Sequence, residues 1–233
     1  MFSLSVCLAH EGERGFVSYS NIHGGIVARM VETLVTTHSS NSNENPAQYV
    51  PNELVTVLDS YEFDAVFMYA RPANLPLVNF IAEKGVPIFF DTGWNARELS
   101  DPRMPAVLGH GHFIMPNQLE ATFMTSTETP ELAARALATF VPTAIVKMGA
   151  SGVVACQDGK LTYCPAYPIE EVVDTTGAGD AFNGGFIYGI LKGYSLTDAL
   201  RCGAICGSLS TTALTGTAAV PTSLELENLL HLL

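Results

Sequence analysis

The chain has 233 residues, 48% of them hydrophobic and 15% charged, enough to bury one substantial core and read as a single domain over residues 1–233. Its 11 basic against 23 acidic residues give a formal charge of −12, and the cations are scattered singly, which argues against nucleic-acid binding. Five cysteines without a C-x-x-C pair argue against a disulfide framework and for a reducing cytoplasm, while no apolar run reaches the ~18–20 residues that span a bilayer.

The first stretch, MFSLSVCLAHEGER, lacks a basic leader region and reads as no signal peptide. Residues 2–9 and 15–20 are β-prone runs joined by a charged turn, predicting a hairpin within residues 1–22. Residues 36–52 are polar and punctuated by proline, the pattern of a long surface loop. After them DAVFMYA, VPIFFD, HFIMPN and TAIVKMG are continuous apolar runs of the kind buried on both faces of a parallel sheet, with helix-like segments at 75–84 and 131–140 between them. That alternation predicts an α/β fold. A β-prone pair follows at 153–156 and 160–164, then two small-residue-rich helices over about 177–192 and 197–214.

The segment with most chemical content is Val173-Asp174-Thr175-Thr176-Gly177-Ala178-Gly179-Asp180-Ala181-Phe182. Gly177 and Gly179 remove side chains where an apolar helix begins, so that backbone N–H groups can converge on an anion. Asp180 falls in the first turn, placed to accept a proton from a hydroxyl while those N–H groups hold the charge of a phosphoryl group in transfer. Taken alone, Gly-x-Gly-Asp is equally a plain helix start with an acid on the macrodipole.

Residues 174–180 match the D-T-T-G-A-G-D signature of the pfkB family of ribokinase-like carbohydrate and nucleoside kinases without a mismatch, and the resemblance runs from near residue 4 to about residue 224. It implies a ribokinase-like, Rossmann-type sandwich with a mostly parallel central sheet and a small β lid remnant, the first βαβ units being missing. It also implies Asp180 as catalytic base, with Gly177, Ala178 and Gly179 as the anion hole. Asp174 and Thr176 map to the family's monovalent-cation (K⁺) site, and Asn117 and Glu120 to the N-x-x-E element that meets Mg²⁺ and the phosphates. Lys147, Gly149 and Gly152 map to the K-x-G-x-x-G turn beside the ATP nucleotide, and Gly216 to the loop lining the adenine and cation sites. Asp91 and Arg97 look like the D-x-N-x-R region of sugar kinases at altered spacing, hence candidates for substrate. Where many members carry Asn in an A-N-A-A run, this chain has Gly203.

The implied activity is ATP-dependent phosphoryl transfer to a sugar, sugar acid or nucleoside hydroxyl. The alternative is a non-catalytic remnant that binds nucleotide or a partner chain. Loss of early strands leaves a sheet edge open, from which self-association, a homodimer included, is expected. His110 and His112 have a metal-like spacing without a third ligand and read as structural. Cys202 and Cys206, at i and i+4, read as small packing residues. His23-Gly24-Gly25 resembles the family's sugar-binding Gly-Gly but follows the hairpin, in the wrong order, and reads as coincidental.

Overall fold

The computed structural model describes Ser5–Val6 and residues 64–232. The described residues up to Ile114, with Phe140–Pro142, make one compact unit; Met115–Thr139 and the residues from Thr143 onward make a second.

The first unit carries β1 (Ser5–Val6), β2 (Val66–Tyr69), β3 (Ile88–Asp91) and β4 (Phe113–Ile114), each parallel to the next. The expected hairpin is therefore represented by Ser5–Val6 alone, a parallel partner of β2; the rest of 1–22, His23-Gly24-Gly25 and the 36–52 loop lie outside the described residues. Every residue of β3 is buried, as its uninterrupted apolar sequence requires. Leu77, Val78 and Ile81 of α1 (Leu75–Glu83) form the buried stripe of an amphipathic helix. Two short helices follow, α2 (Ala96–Leu99), capped by the Asn95 side chain, and α3 (Met104–Leu108). HFIMPN gives only two strand residues, Phe113 and Ile114. His112 is structural: its Nδ1 accepts the Ile88 N–H at 3.2 Å and its own N–H donates to the Ile88 carbonyl at 2.8 Å.

In the second unit β5 (Thr143–Lys147), β6 (Val153–Gln157) and β7 (Lys160–Cys164) form an antiparallel meander. Asp158 and Gly159, both at positive φ, make the two-residue turn that matches strand twist. The helices are α4 (Gln118–Thr125), α5 (Pro130–Leu137), α6 (Ala178–Leu191), α7 (Leu196–Ser210) and α8 (Ser223–Leu230). α6 and α7 pack backbone against backbone. A Cβ on Gly185 would stand 2.5 Å from the Cys202 carbonyl oxygen, and one on Gly203 would stand 2.8 Å from the Phe182 ring. The glycines that weaken these helices intrinsically are thus what lets them meet. Cys202, Ile205, Cys206 and Leu226 form a buried cluster, so the two helical cysteines are packing residues.

α7 stops at Ser210, short of the residue 214 its composition suggests. The carbonyl of Thr211 accepts from the N–H groups of Val173 (2.7 Å) and Asp174 (3.1 Å) instead of continuing the helix. This contact also anchors the segment that leads into α6.

Candidate functional site

The loop ahead of α6 is held by one carboxylate. Asp174 Oδ1 accepts from the Thr176 N–H at 2.9 Å, and Oδ2 accepts from the Thr215 N–H at 3.3 Å. The Thr176 hydrogen bonds, backbone first, hold this carboxyl below its ordinary value, as expected where the charged form is the one solvated by N–H groups. Gly177 then takes φ +78° at the N-cap, a conformation glycine adopts without cost. A Cβ there would stand 2.9 Å from Gly216 Cα, and a Cβ on Gly216 would stand 2.7 Å from the Thr176 carbonyl oxygen. Gly177 and Gly216 are therefore a pair: each is small because the other's backbone is there.

Ala178, Gly179 and Asp180 form the first turn of α6, where the helix dipole is positive and the Ala178 N–H donates back to the Thr175 carbonyl at 3.2 Å. Asp180 is exposed. Beside this turn lies the end of β5, with Lys147 Nζ 3.1 Å from Asn183 Oδ1 and 3.4 Å from the point where a Cβ on Gly179 would stand. Asn183 is 1% exposed. Beyond Lys147 the chain turns sharply: Gly149 and Gly152 lie at φ +58° and +83°, the Met148 N–H donates to the Gly152 carbonyl at 2.8 Å, and a Cβ on Gly152 would fall 2.2 Å from the Cys164 carbonyl oxygen.

Asn117 and Glu120 come to the same place from the other side of β5. Asn117 pairs with Lys147 in a parallel bridge, and the Lys147 N–H donates to the Pro116 carbonyl at 2.9 Å. The two residues make a reciprocal capping box, Glu120 N–H to Asn117 Oδ1 (2.9 Å) and Asn117 N–H to Glu120 Oε2 (3.1 Å), with Glu120 buried. The N-x-x-E element is thus first a helix start, which brings a carboxylate beside the end of β5.

A cavity of about 560 Å³ lies between the end of β5 and the start of α6. Lys147, Gly149 and Gly152 form one wall, Thr175, Ala178 and Gly179 the polar end, and Val153, Tyr167, Ile169, Val172 and Phe182 an apolar remainder. Its floor comes from α7 through Ala204, Gly207 and Ser208, and from Thr211 just past the end of that helix. An apolar slot ending in outward N–H groups and an ammonium suits a ligand with a flat apolar head and an anionic tail. The sequence assigns no role to Asn183 or Phe182, which only adjoin the 174–180 signature; for the floor it offers the family's A-N-A-A run around Gly203, next to Ala204, and nothing that reaches Ser208.

The remaining candidates, Asp91 and Arg97, belong to the first unit. Asp91 ends β3, is 5% exposed and accepts the Thr92 N–H at 2.7 Å. Arg97 is exposed in the first turn of α2. Among the described residues no group of three or more His, Cys, Asp or Glu is placed to hold a metal. Nor is any helix among them long and apolar enough to cross a membrane.

A family profile described as pfkB family carbohydrate kinase matches residues 25–223. The chain is 34% identical over 125 residues to ribokinase of Haemophilus influenzae, covering 51% of this chain and 40% of that one. It is 32% identical over 134 residues to cytidine kinase of Thermococcus kodakarensis, covering 56% and 48%. The matched stretch spans about half the length of such relatives. Among solved structures, Arabidopsis thaliana ribokinase complexed with ribose and ATP aligns with a TM-score of 0.66 at 26% identity, covering 79% of this chain and 60% of that one. Adenosine kinase from Sinorhizobium meliloti aligns with a TM-score of 0.66 at 20% identity, covering 80% and 59%, a likeness of fold.

Proposed function

The chain belongs to the pfkB family of carbohydrate kinases, and from that premise we propose that it transfers the γ-phosphoryl group of ATP to a hydroxyl of a sugar, sugar acid or nucleoside. The observation that carries this reading is the start of α6, whose first residues, Ala178 and Gly179, line the polar end of a 560 Å³ apolar cavity, with the exposed Asp180 next to them in the same turn. In this reading the base lies in the apolar part and the phosphates run toward Gly177, Ala178 and Gly179. The relatives point the same way, ribokinase and cytidine kinase among them.

The acceptor hydroxyl loses its proton to Asp180 as its oxygen forms the bond to phosphorus, and the bond to the ADP oxygen breaks with its electron pair. The N–H groups of the first turn hold the charge spread over the equatorial oxygens. Lys147 adds positive charge from the end of β5, and Gly149 and Gly152 let the backbone approach the nucleotide. Gly216 secures Gly177 by direct packing. Asn117 and Glu120 supply the hard oxygen donors suited to Mg²⁺ carried by the nucleotide, through water where the capping box already uses an oxygen. Bound there, the ion neutralises phosphate charge. Asp174 and Thr176 would serve a K⁺ ion from the loop before α6, their oxygens being of the type it takes. Asp91 and Arg97 are assigned to the acceptor. A cytoplasmic setting completes the reading, in keeping with four buried free thiols among the described residues.

The test is turnover with and without the base. ATP and Mg²⁺ are incubated with the chain and a panel of sugars, sugar acids and nucleosides, and phosphorylated product is followed by mass spectrometry. Asp180→Asn keeps the shape and backbone cradle, so ATP affinity stays nearly constant while kcat drops by roughly 10²–10⁴. Near-normal turnover in Asp180→Asn would remove Asp180 from its role.

A further inference from the structure

Lys147 is the last residue of β5, and its Nζ meets the amide oxygen of Asn183 at 3.1 Å. Asn183 stands one turn beyond Asp180 in α6 and is almost wholly buried. Asparagine is an unfavourable choice for a helix interior, since its side chain competes for backbone hydrogen bonds, and burying an amide stabilises nothing unless its hydrogen bonds are made. Its acceptor is directed at an ammonium that itself lies against Gly179, at the positive end of the helix dipole. A lysine on a flexible four-carbon stem contributes best when its rotamer is fixed beforehand.

We propose that Asn183 is a positioning residue, whose amide oxygen holds the Lys147 ammonium over the phosphates of the bound nucleotide. It orients the cation and, being neutral, adds no negative charge of its own. A carboxylate at 183 would hold the ammonium as well and oppose the phosphates. This inference rests on the nucleotide reading of the cavity and adds to it the residue that sets the strength of phosphate recognition.

The experiment titrates ATP, ADP and adenosine calorimetrically into the full chain and into Asn183→Asp, Asn183→Ser and Lys147→Gln, alone and combined. Asn183→Asp lowers ATP affinity, because the added carboxylate opposes the phosphates and competes with them for the Lys147 ammonium, with a smaller loss for ADP. Adenosine, which has no phosphate, stays within about twofold, the usual spread for uncoupled changes. Asn183→Ser removes the reach of the acceptor and lowers ATP affinity less than Asn183→Asp does. In the Lys147→Gln background Asn183→Ser changes ATP affinity no further, while Asn183→Asp still weakens ATP through its own charge. A merely structural asparagine would shift all three ligands together in Asn183→Ser, or weaken ATP equally in that variant with and without Lys147, and either result overturns the proposal. If Asn183→Asp does not fold, the Ser variant carries the same comparison. An unsubstituted chain that binds ATP no better than adenosine defeats the nucleotide reading itself and the proposal with it. A clear preference for ATP that survives both substitutions at 183 defeats the positioning role alone.

Discussion

Gly177→Ala perturbs the site at the point where two constraints coincide. The residue lies at φ +78°, and placing an L side chain in that region costs about 1–2 kcal/mol. Its new Cβ would also stand 2.9 Å from Gly216 Cα, a backbone atom that moves only with the loop, and overpacking of this kind adds roughly 1–3 kcal/mol. Gly159 separates the two contributions. It lies at φ +73° in the β6–β7 turn with nothing within 4 Å of its added Cβ, so Gly159→Ala carries the conformational cost alone. Gly177→Ala should therefore cost roughly 2–5 kcal/mol against about 1–2 for Gly159→Ala. At 2–4 °C per kcal/mol for a chain of this size, the melting temperature falls by roughly 4–20 °C in the first and about 2–8 °C in the second. Calorimetric melting reads that difference, and ATP titration reads its consequence, since the displaced loop carries the N–H groups meant for phosphate. Equal melting of the two variants, or ATP affinity unchanged in Gly177→Ala, would refute the close pairing of Gly177 with Gly216 as a condition of the site.

The Asp174 carboxyl, held below its ordinary value of 3.8 by the Thr176 hydrogen bonds, contributes stability that is present above pH 3.8 and is lost as pH falls through the lower, folded value. Asp174→Asn should therefore melt lower than the parent near pH 6, with the gap closing as pH drops below 4; a gap constant across that range would contradict the assignment. Burial raises the Cys202 and Cys206 thiols to about 11 and 12, so at pH 8 iodoacetamide followed by peptide mass spectrometry should find both unmodified in the folded chain and modified in urea. Alkylation of either in the folded state at the rate of a small-molecule thiol would show that α6 and α7 do not stay packed.

Much of this was readable before any coordinates, and the parts that were not share one cause. The β6–β7 hairpin is local: a continuous apolar run, a mixed polar and apolar run and the Asp-Gly pair between them specify it without outside help. The Asn117–Glu120 capping box and the glycine start of α6 are likewise four- to seven-residue patterns. α8 has the same kind of signal, Thr222 with Glu225 in a capping box, and it passed unread. The end of α7 is different, because Ala213 and Leu214 are good helix residues and the helix is stopped by a carbonyl contact with Val173 and Asp174, about 40 residues earlier in the chain. Gly203 is of the same kind. Its sequence neighbours say only that the helix is rich in small residues, and the fold says that the Phe182 ring occupies the space. Asn183 hides for a third version of this reason: its partner is 36 residues away and its type argues against its own helix. The 174–180 signature marks the glycine start of α6, whereas the cavity floor supplied by α7 depends on helix packing that no local pattern encodes.

The central claim is that the start of α6 receives the phosphates of a nucleotide whose base fills the cavity above it. Amide hydrogen exchange on the full chain, compared without ligand, with saturating adenosine and with saturating ATP and Mg²⁺, tests it where it is made. Both ligands should slow exchange along the cavity floor at residues 204–211, and ATP alone should strongly slow Gly179 and Asp180 in the first turn of α6. Bound ATP that leaves Gly179 and Asp180 exchanging as in the free chain, or that protects them no more than adenosine does, would contradict the nucleotide reading.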